Sequence, residues 1–85
     1  MEIINFTGIH RTYYPTGKLR TECFINNGKK DGEYKIYYES GQLWTMCNYN
    51  NGKRDGMCKS FDKSGRLWFS CNFMNDKILK HSNLN

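Results

Sequence analysis

The sequence predicts an all-β protein: a single-layer antiparallel β-meander of consecutive hairpins. Three observations carry this. The chain of 85 residues contains no alanine and no valine, yet thirteen of its residues are aromatic (six Tyr, five Phe, two Trp). Alanine is the best helix former, and aromatic side chains favour pleated surfaces. The sequence repeats itself with a period of 24 residues, the mark of an array of identical supersecondary units. Turn signals recur at fixed places in each repeat, including Asn-Gly at 27–28 and 51–52, the strongest short hairpin signal.

The whole chain, 1–85, reads as one small domain. Its units are 8–31, 32–55 and 56–79, followed by a tail, 80–85. Six columns are invariant: Gly8/Gly32/Gly56, Gly17/Gly41/Gly65, Leu19/Leu43/Leu67, Cys23/Cys47/Cys71, Asn27/Asn51/Asn75 and Lys29/Lys53/Lys77. The first two units share twelve of their 24 positions.

Each unit reads as a hairpin plus a connecting turn. The middle unit shows the pattern most plainly. Residues 33–38 form a strand, Glu39-Ser40-Gly41-Gln42 a turn with glycine at a positive φ, and residues 43–49 a second strand. Residues 50–56 then make the next turn. In the third unit, Met74-Asn75-Asp76-Lys77-Ile78 stands where the Asn-Gly and Asp-Gly turns should be, a degeneracy expected of a terminal repeat. The total is about seven strands, all neighbours in sequence. The tail from Lys77 to Asn85 is expected at most to cap an edge.

The run Tyr13-Tyr14-Pro15-Thr16-Gly17-Lys18-Leu19, matched by residues 37–43, is followed by Asn27-Gly28-Lys29-Lys30-Asp31-Gly32, matched by residues 51–56. Together they resemble the MORN repeat, in the short variant form of small bacterial antitoxin-type proteins. The resemblance covers residues 8 to about 77. It departs from the family at Cys23, Cys47 and Cys71, where the variant usually has glycine, and at Asp62-Lys63. It implies a scaffold or interaction module, often dimeric, and not an enzyme.

Alternation with period two sorts the side chains. One face collects Leu19, Thr21, Cys23, Ile25, Tyr34, Ile36, Tyr38, Leu43, Thr45, Cys47, Tyr49, Leu67, Phe69, Cys71 and Phe73. Leu19, Cys23, Tyr38, Leu43, Cys47, Leu67, Phe69 and Cys71 are its core or dimer-face candidates. The other face is basic and aromatic, and Arg11, Tyr13, Arg20, Lys35, Tyr37, Trp44, Lys59, Phe61 and Trp68 are its binding candidates. A register set by the short turn alone places Tyr13 opposite Arg20, Tyr37 opposite Trp44 and Phe61 opposite Trp68. Such cross-strand pairs contribute roughly 0.2–1 kcal/mol each. An apolar sheet face needs a covering layer, and no segment here makes a helix long enough to supply one. The expectation is a homodimer, with Tyr38, Leu43, Cys47 and Phe69 near its centre.

Four cysteines stand at 23, 47, 58 and 71, with no C-x-x-C spacing. Cys23, Cys47 and Cys71 fall two strands apart, about 9–10 Å. That is too far for a disulfide or one shared zinc. Folding the turn symmetrically about Gly52-Lys53 sets Cys47 opposite Cys58, close enough to bridge if oxidised. Met1-Glu2-Ile3-Ile4-Asn5 shows no secretory pattern, which favours a reducing compartment and free thiols.

No catalytic, cofactor or metal-binding pattern is expected. His10 and His81 lie far apart in the array, and the glycines are turn glycines. The chain is expected to be intracellular, neither secreted nor transmembrane, since no apolar run approaches the ~20 residues of a span. No small-molecule substrate is expected. Net charge +5 raises the prior for polyanion contact. Nucleic acid on the basic-aromatic face, and acidic lipid beneath Lys29, Lys30, Lys53 and Arg54, are the alternatives to a protein partner. The charge is uneven, net zero over residues 32–55, and the turns carry Asp31 and Asp55 beside their basic residues. A role in a virion or in interaction with a host is a further alternative, because such small repeat proteins also occur in large DNA viruses.

Overall fold

The computed structural model describes residues 6–83; the N-terminal stretch Met1–Asn5 read above for a leader lies outside the described residues. Seven strands form one open antiparallel sheet in sequence order: β1 (Gly8–Tyr13), β2 (Leu19–Asn26), β3 (Lys29–Tyr37), β4 (Leu43–Asn50), β5 (Lys53–Phe61), β6 (Leu67–Met74) and β7 (Lys77–Asn83). The expected tail cap is therefore corrected. Lys77–Asn83 is a full edge strand paired along β6.

Two kinds of turn alternate along the array. The turns after β1, β3 and β5 have the same closure. In the middle one, the Gly41 N–H donates to the Tyr38 carbonyl (2.9 Å) and the Tyr38 N–H to the Gln42 carbonyl (2.8 Å). Gly41 sits at φ 97°, the left-handed position that follows a type I turn in a three-residue hairpin loop. The turns after β2, β4 and β6 are two-residue loops with both central residues at positive φ: Asn27 and Gly28, Asn51 and Gly52, Asn75 and Asp76. The last of these forms without glycine, because Asn and Asp tolerate the left-handed region better than other side chains. Asp76 Oδ1 then accepts from the Arg54 backbone N–H (2.8 Å) and Nε (3.1 Å).

Each two-residue turn is also tied to the chain one repeat earlier. Gly28, Gly52 and Asp76 donate their N–H groups to the carbonyls of Phe6, Lys30 and Arg54, at 2.8–2.9 Å. At the opposite end of the hairpins, the Tyr14 hydroxyl donates to the Tyr37 carbonyl and the Tyr38 hydroxyl to the Phe61 carbonyl, one unit on. Asp62 replaces this tyrosine in the third unit and binds its own turn instead, accepting from Ser64 Oγ (2.7 Å) and from the Ser64 and Arg66 N–H groups.

The register departs from simple turn symmetry. Thr12 pairs with Thr21, but Tyr13 pairs with Leu19, so Arg20 is an extra, bulged residue. Tyr37 pairs with Leu43 and Phe61 with Leu67 in the same way, leaving Trp44 and Trp68 bulged. The expected pairs Tyr13–Arg20, Tyr37–Trp44 and Phe61–Trp68 are corrected by this one-residue insertion. A second irregularity lies beyond the cysteines. Tyr49 pairs with Arg54 while Cys47 pairs with Cys58, which loads two extra residues onto β5. The Asn48 amide donates to the Asp55 carbonyl (2.9 Å) within that irregular stretch.

Among the described residues, only Cys23, Cys58 and Cys71 are buried, at 3–5 % exposure. The core is thus a line of sulfur under half-buried rings, not a second layer. No helix is long and apolar enough to cross a membrane among the described residues.

Candidate interaction face

Residues directly opposed across antiparallel strands share a face. One register row therefore runs through the middle of the sheet: His10, Cys23, Tyr34, Cys47, Cys58 and Cys71. A second row on the same face runs through Thr12, Thr21, Ile36, Thr45, Ser60 and Phe69. Its polar members pair with one another: Thr12 and Thr21 share a hydroxyl hydrogen bond, and so do Thr45 and Ser60 (3.1 Å). On the turn side of the cysteines, Tyr34 and Tyr49 meet edge to face, with ring centroids 5.9 Å apart. Lys30 Nζ lies 4.4 Å from the Tyr34 ring centroid, and the Arg54 guanidinium lies 4.4 Å from that of Phe73.

The bulge brings three more side chains to this face. Arg20 Nε donates to Thr12 Oγ1 (3.4 Å). Trp44 stacks on Tyr38, with centroids 5.2 Å apart and planes 17° from parallel. Trp68 lies 5.7 Å from Phe69. Period-two counting sets Arg20, Trp44 and Trp68 on the opposite side; the extra residue turns them over. A groove of about 630 Å³ results on the β1–β4 half of this face, with Tyr14, Arg20, Cys23, Tyr34, Ile36 and Trp44 among its walls.

The reverse side keeps the other candidates. Arg11, Glu22, Lys35, Met46, Lys59 and Ser70 form one register row. Arg11 Nε reaches Glu22 Oε2 at 2.7 Å, and that contact raises the guanidinium's affinity for its proton. Lys35 Nζ lies 3.5 Å from Glu33. Tyr13, Tyr37 and Phe61 remain at the strand ends, paired with Leu19, Leu43 and Leu67, so these three leucines, expected on the cysteine face, are corrected to the reverse side by the same one-residue bulge. The nine residues expected on one basic-aromatic face are therefore divided between two faces. Lys30 and Arg54, read from sequence as turn-edge charges, instead cover aromatic rings from within β3 and β5.

Cys47 and Cys58 are joined by a disulfide between directly opposed residues, with Cα atoms 4.1 Å apart. The expectation of four free thiols is corrected for this pair; Cys23 and Cys71 are free and buried. Burial pushes both of those thiols up from their ordinary range, against smaller downward pulls from Lys30 on Cys23 and Arg54 on Cys71. Burial also raises the Tyr49 phenol. Sequence reasoning missed Cys58, Lys30, Arg54 and Thr12 as members of this face. Cys58 had a visible signal in its predicted pairing with Cys47. The others had none, because alternation restarts at each irregularity.

Among the described residues, no group of three or more His, Cys, Asp or Glu side chains is arranged to hold a metal ion. What the geometry offers is surface: a sheet with one charged side and one aromatic, sulfur-lined side, made of hairpins that repeat. That defines a repeat-built β module. The model of the MORN repeat variant matches the chain at residues 6–27 and 30–51, just over half its length. The chain belongs to this family, a non-enzymatic structural or interaction module. The comparison with curated proteins and the comparison with solved structures find no match.

Proposed function

We propose that the protein is a protein-interaction scaffold that works as a homodimer, two copies burying their cysteine faces against each other. The observation that carries this is the lack of any covering layer among the described residues. Trp44 and Trp68 stand on this face at 42 % and 51 % exposure, and among the described residues no aromatic ring on it is buried. The area supports the same reading. A compact monomer of 10.1 kDa exposes about 5,300 Å², whereas this chain exposes 6102 Å². Thr12 pairs with Thr21 and Thr45 with Ser60, so covering them leaves one hydroxyl proton of each pair, and not two, to find an acceptor.

Multi-angle light scattering at micromolar concentration is expected to give twice the chain mass. Trp44→Glu with Trp68→Glu is expected to give the monomer mass with the β circular-dichroism signal retained, because neither side chain is buried within one chain. A monomeric wild-type chain overturns the reading.

A further inference from the structure

The register places three cysteines on three adjacent strands. Cys58 on β5 is opposed by Cys47 on β4 and by Cys71 on β6. The disulfide occupies the first of these two pairings, and the Cys71 thiol is free. We propose that this row is an internal thiol–disulfide exchange site, in which the Cys58 sulfur passes between Cys47 and Cys71.

Three geometric facts support it. First, both pairings suit a bridge. The Cys47–Cys58 Cα separation of 4.1 Å marks the close, non-hydrogen-bonded kind of antiparallel pair. On the other side of the same residue the pair is of the hydrogen-bonded kind, about 5.5 Å between Cα atoms, which falls in the usual disulfide range. Second, the three residues share one face and one register row, so Cys71 stands on the side of Cys58 opposite Cys47. Displacement at sulfur, through which disulfides exchange, proceeds from that side. Third, Cys58 and Cys71 are 5 % and 3 % exposed. Soluble thiols therefore reach the pair poorly, while the internal thiol is held one strand away. Proximity of this kind converts a bimolecular reaction into an internal one.

The step balances without any outside oxidant. Cys71 gives up its proton, and its thiolate attacks Cys58 Sγ. The Cys58–Cys71 bond forms as the Cys47–Cys58 bond breaks, and the electron pair leaves on Cys47, which takes up a proton. The outcome moves the cross-link from β4–β5 to β5–β6. It also moves the free thiol from buried Cys71 to half-buried Cys47, where a partner's thiol or disulfide has better access. Cys23 stays outside the exchange. Tyr34 stands between it and Cys47 in the row, which makes it an internal control.

The test is disulfide mapping of the intact wild-type chain. The oxidised protein is held at neutral pH, quenched with acid, alkylated with N-ethylmaleimide and digested with trypsin. Cleavage after Lys53, Arg54, Lys59 and Arg66 puts Cys47, Cys58 and Cys71 on separate peptides. The expected result is two linked species, Cys47–Cys58 and Cys58–Cys71, with alkylated Cys23 throughout. Their ratio should approach its plateau at a rate unchanged over a hundredfold range of protein concentration. In Cys47→Ser, oxidation is expected to yield the Cys58–Cys71 bridge in nearly all molecules. Three results overturn the proposal: a wild-type chain that holds only Cys47–Cys58 after prolonged incubation, an exchange rate proportional to protein concentration, or Cys23 in the linked species.

Discussion

Tyr14, Tyr38 and Asp62 hold one column of the repeat and do two different jobs. The two tyrosines reach forward to the carbonyls of Tyr37 and Phe61 in the following unit. Asp62 turns inward to cap its own loop. The Tyr38 bond is half-buried, so Tyr38→Phe removes a donor and leaves the Phe61 carbonyl short of a partner. The expected loss is about 1 kcal/mol in a urea unfolding curve with an unchanged slope. A loss below a few tenths would show that water replaces the hydroxyl. Asp62 and Asp76 carry the acid response. The Ser64 hydroxyl, with the Arg66 and Ser64 N–H groups, holds the Asp62 carboxyl below its usual range. The Arg54 backbone N–H and guanidinium do the same for Asp76. Groups with depressed folded values contribute stability above the ordinary carboxylate range, near pH 4, and lose it as the pH falls through those lower values. Thermal midpoints are expected to hold between pH 7 and 5 and to fall below about pH 4. Asp62→Asn with Asp76→Asn should flatten that fall, because the amide oxygens still accept but no longer titrate.

Hairpins are the elements of this fold, and their turns were legible in the sequence because a positive φ leaves few residues to choose from. Gly41 shows this in its simplest form. It sits at φ 97°, and a Cβ built there would meet nothing within 4 Å. Gly41→Ala therefore tests the backbone alone, and the expected cost is about 1–2 kcal/mol. Gly65→Ala is expected to cost about the same, since the Gln42 amide 3.3 Å from that Cβ is the end of an exposed, flexible side chain that can move aside. The Asn75-Asp76 turn was harder to read, because its glycine is replaced by an aspartate that gains Arg54 as a partner. The strands themselves followed from the repeat, and so did the Cys47–Cys58 pairing. That pairing arises differently from the symmetric fold expected. The turn is centred on Asn51-Gly52, and the two extra residues of β5 restore the match. The faces were read less well. Alternation counts residues, and a bulge adds one without changing the composition. Counting sets Arg20, Trp44 and Trp68 on the charged side for that reason, whereas their contacts with Thr12, Tyr38 and Phe69 put them on the other.

At the scale of the whole molecule, the sheet measures 46 × 36 × 18 Å, broad and thin. All major contacts join strands adjacent in sequence, so loop closure is short-range and folding should be fast for a β protein. The same topology builds no second layer. A chain of 85 residues in one layer leaves its aromatic rings half-covered, and small domains have little stability to spare. If two copies supply that layer to each other, assembly and stability become one equilibrium, and the melting temperature must depend on concentration. The size of the effect follows from mass action. A tenfold rise in concentration adds about 1.4 kcal/mol per dimer. Unfolding two chains of this length releases an entropy of about 0.36 kcal/mol/K, at roughly 2.1 cal/mol/K per residue. The midpoint is therefore expected to rise by about 4 °C for each tenfold increase in protein. Calorimetry from 5 to 500 µM reads this directly. A midpoint constant over that range would mean that the cysteine face folds and persists uncovered. In Trp44→Glu with Trp68→Glu the dependence should vanish and the melting temperature should lie at or below the dilute wild-type value, because the charges remove the covering copy and leave the hairpin hydrogen bonds intact.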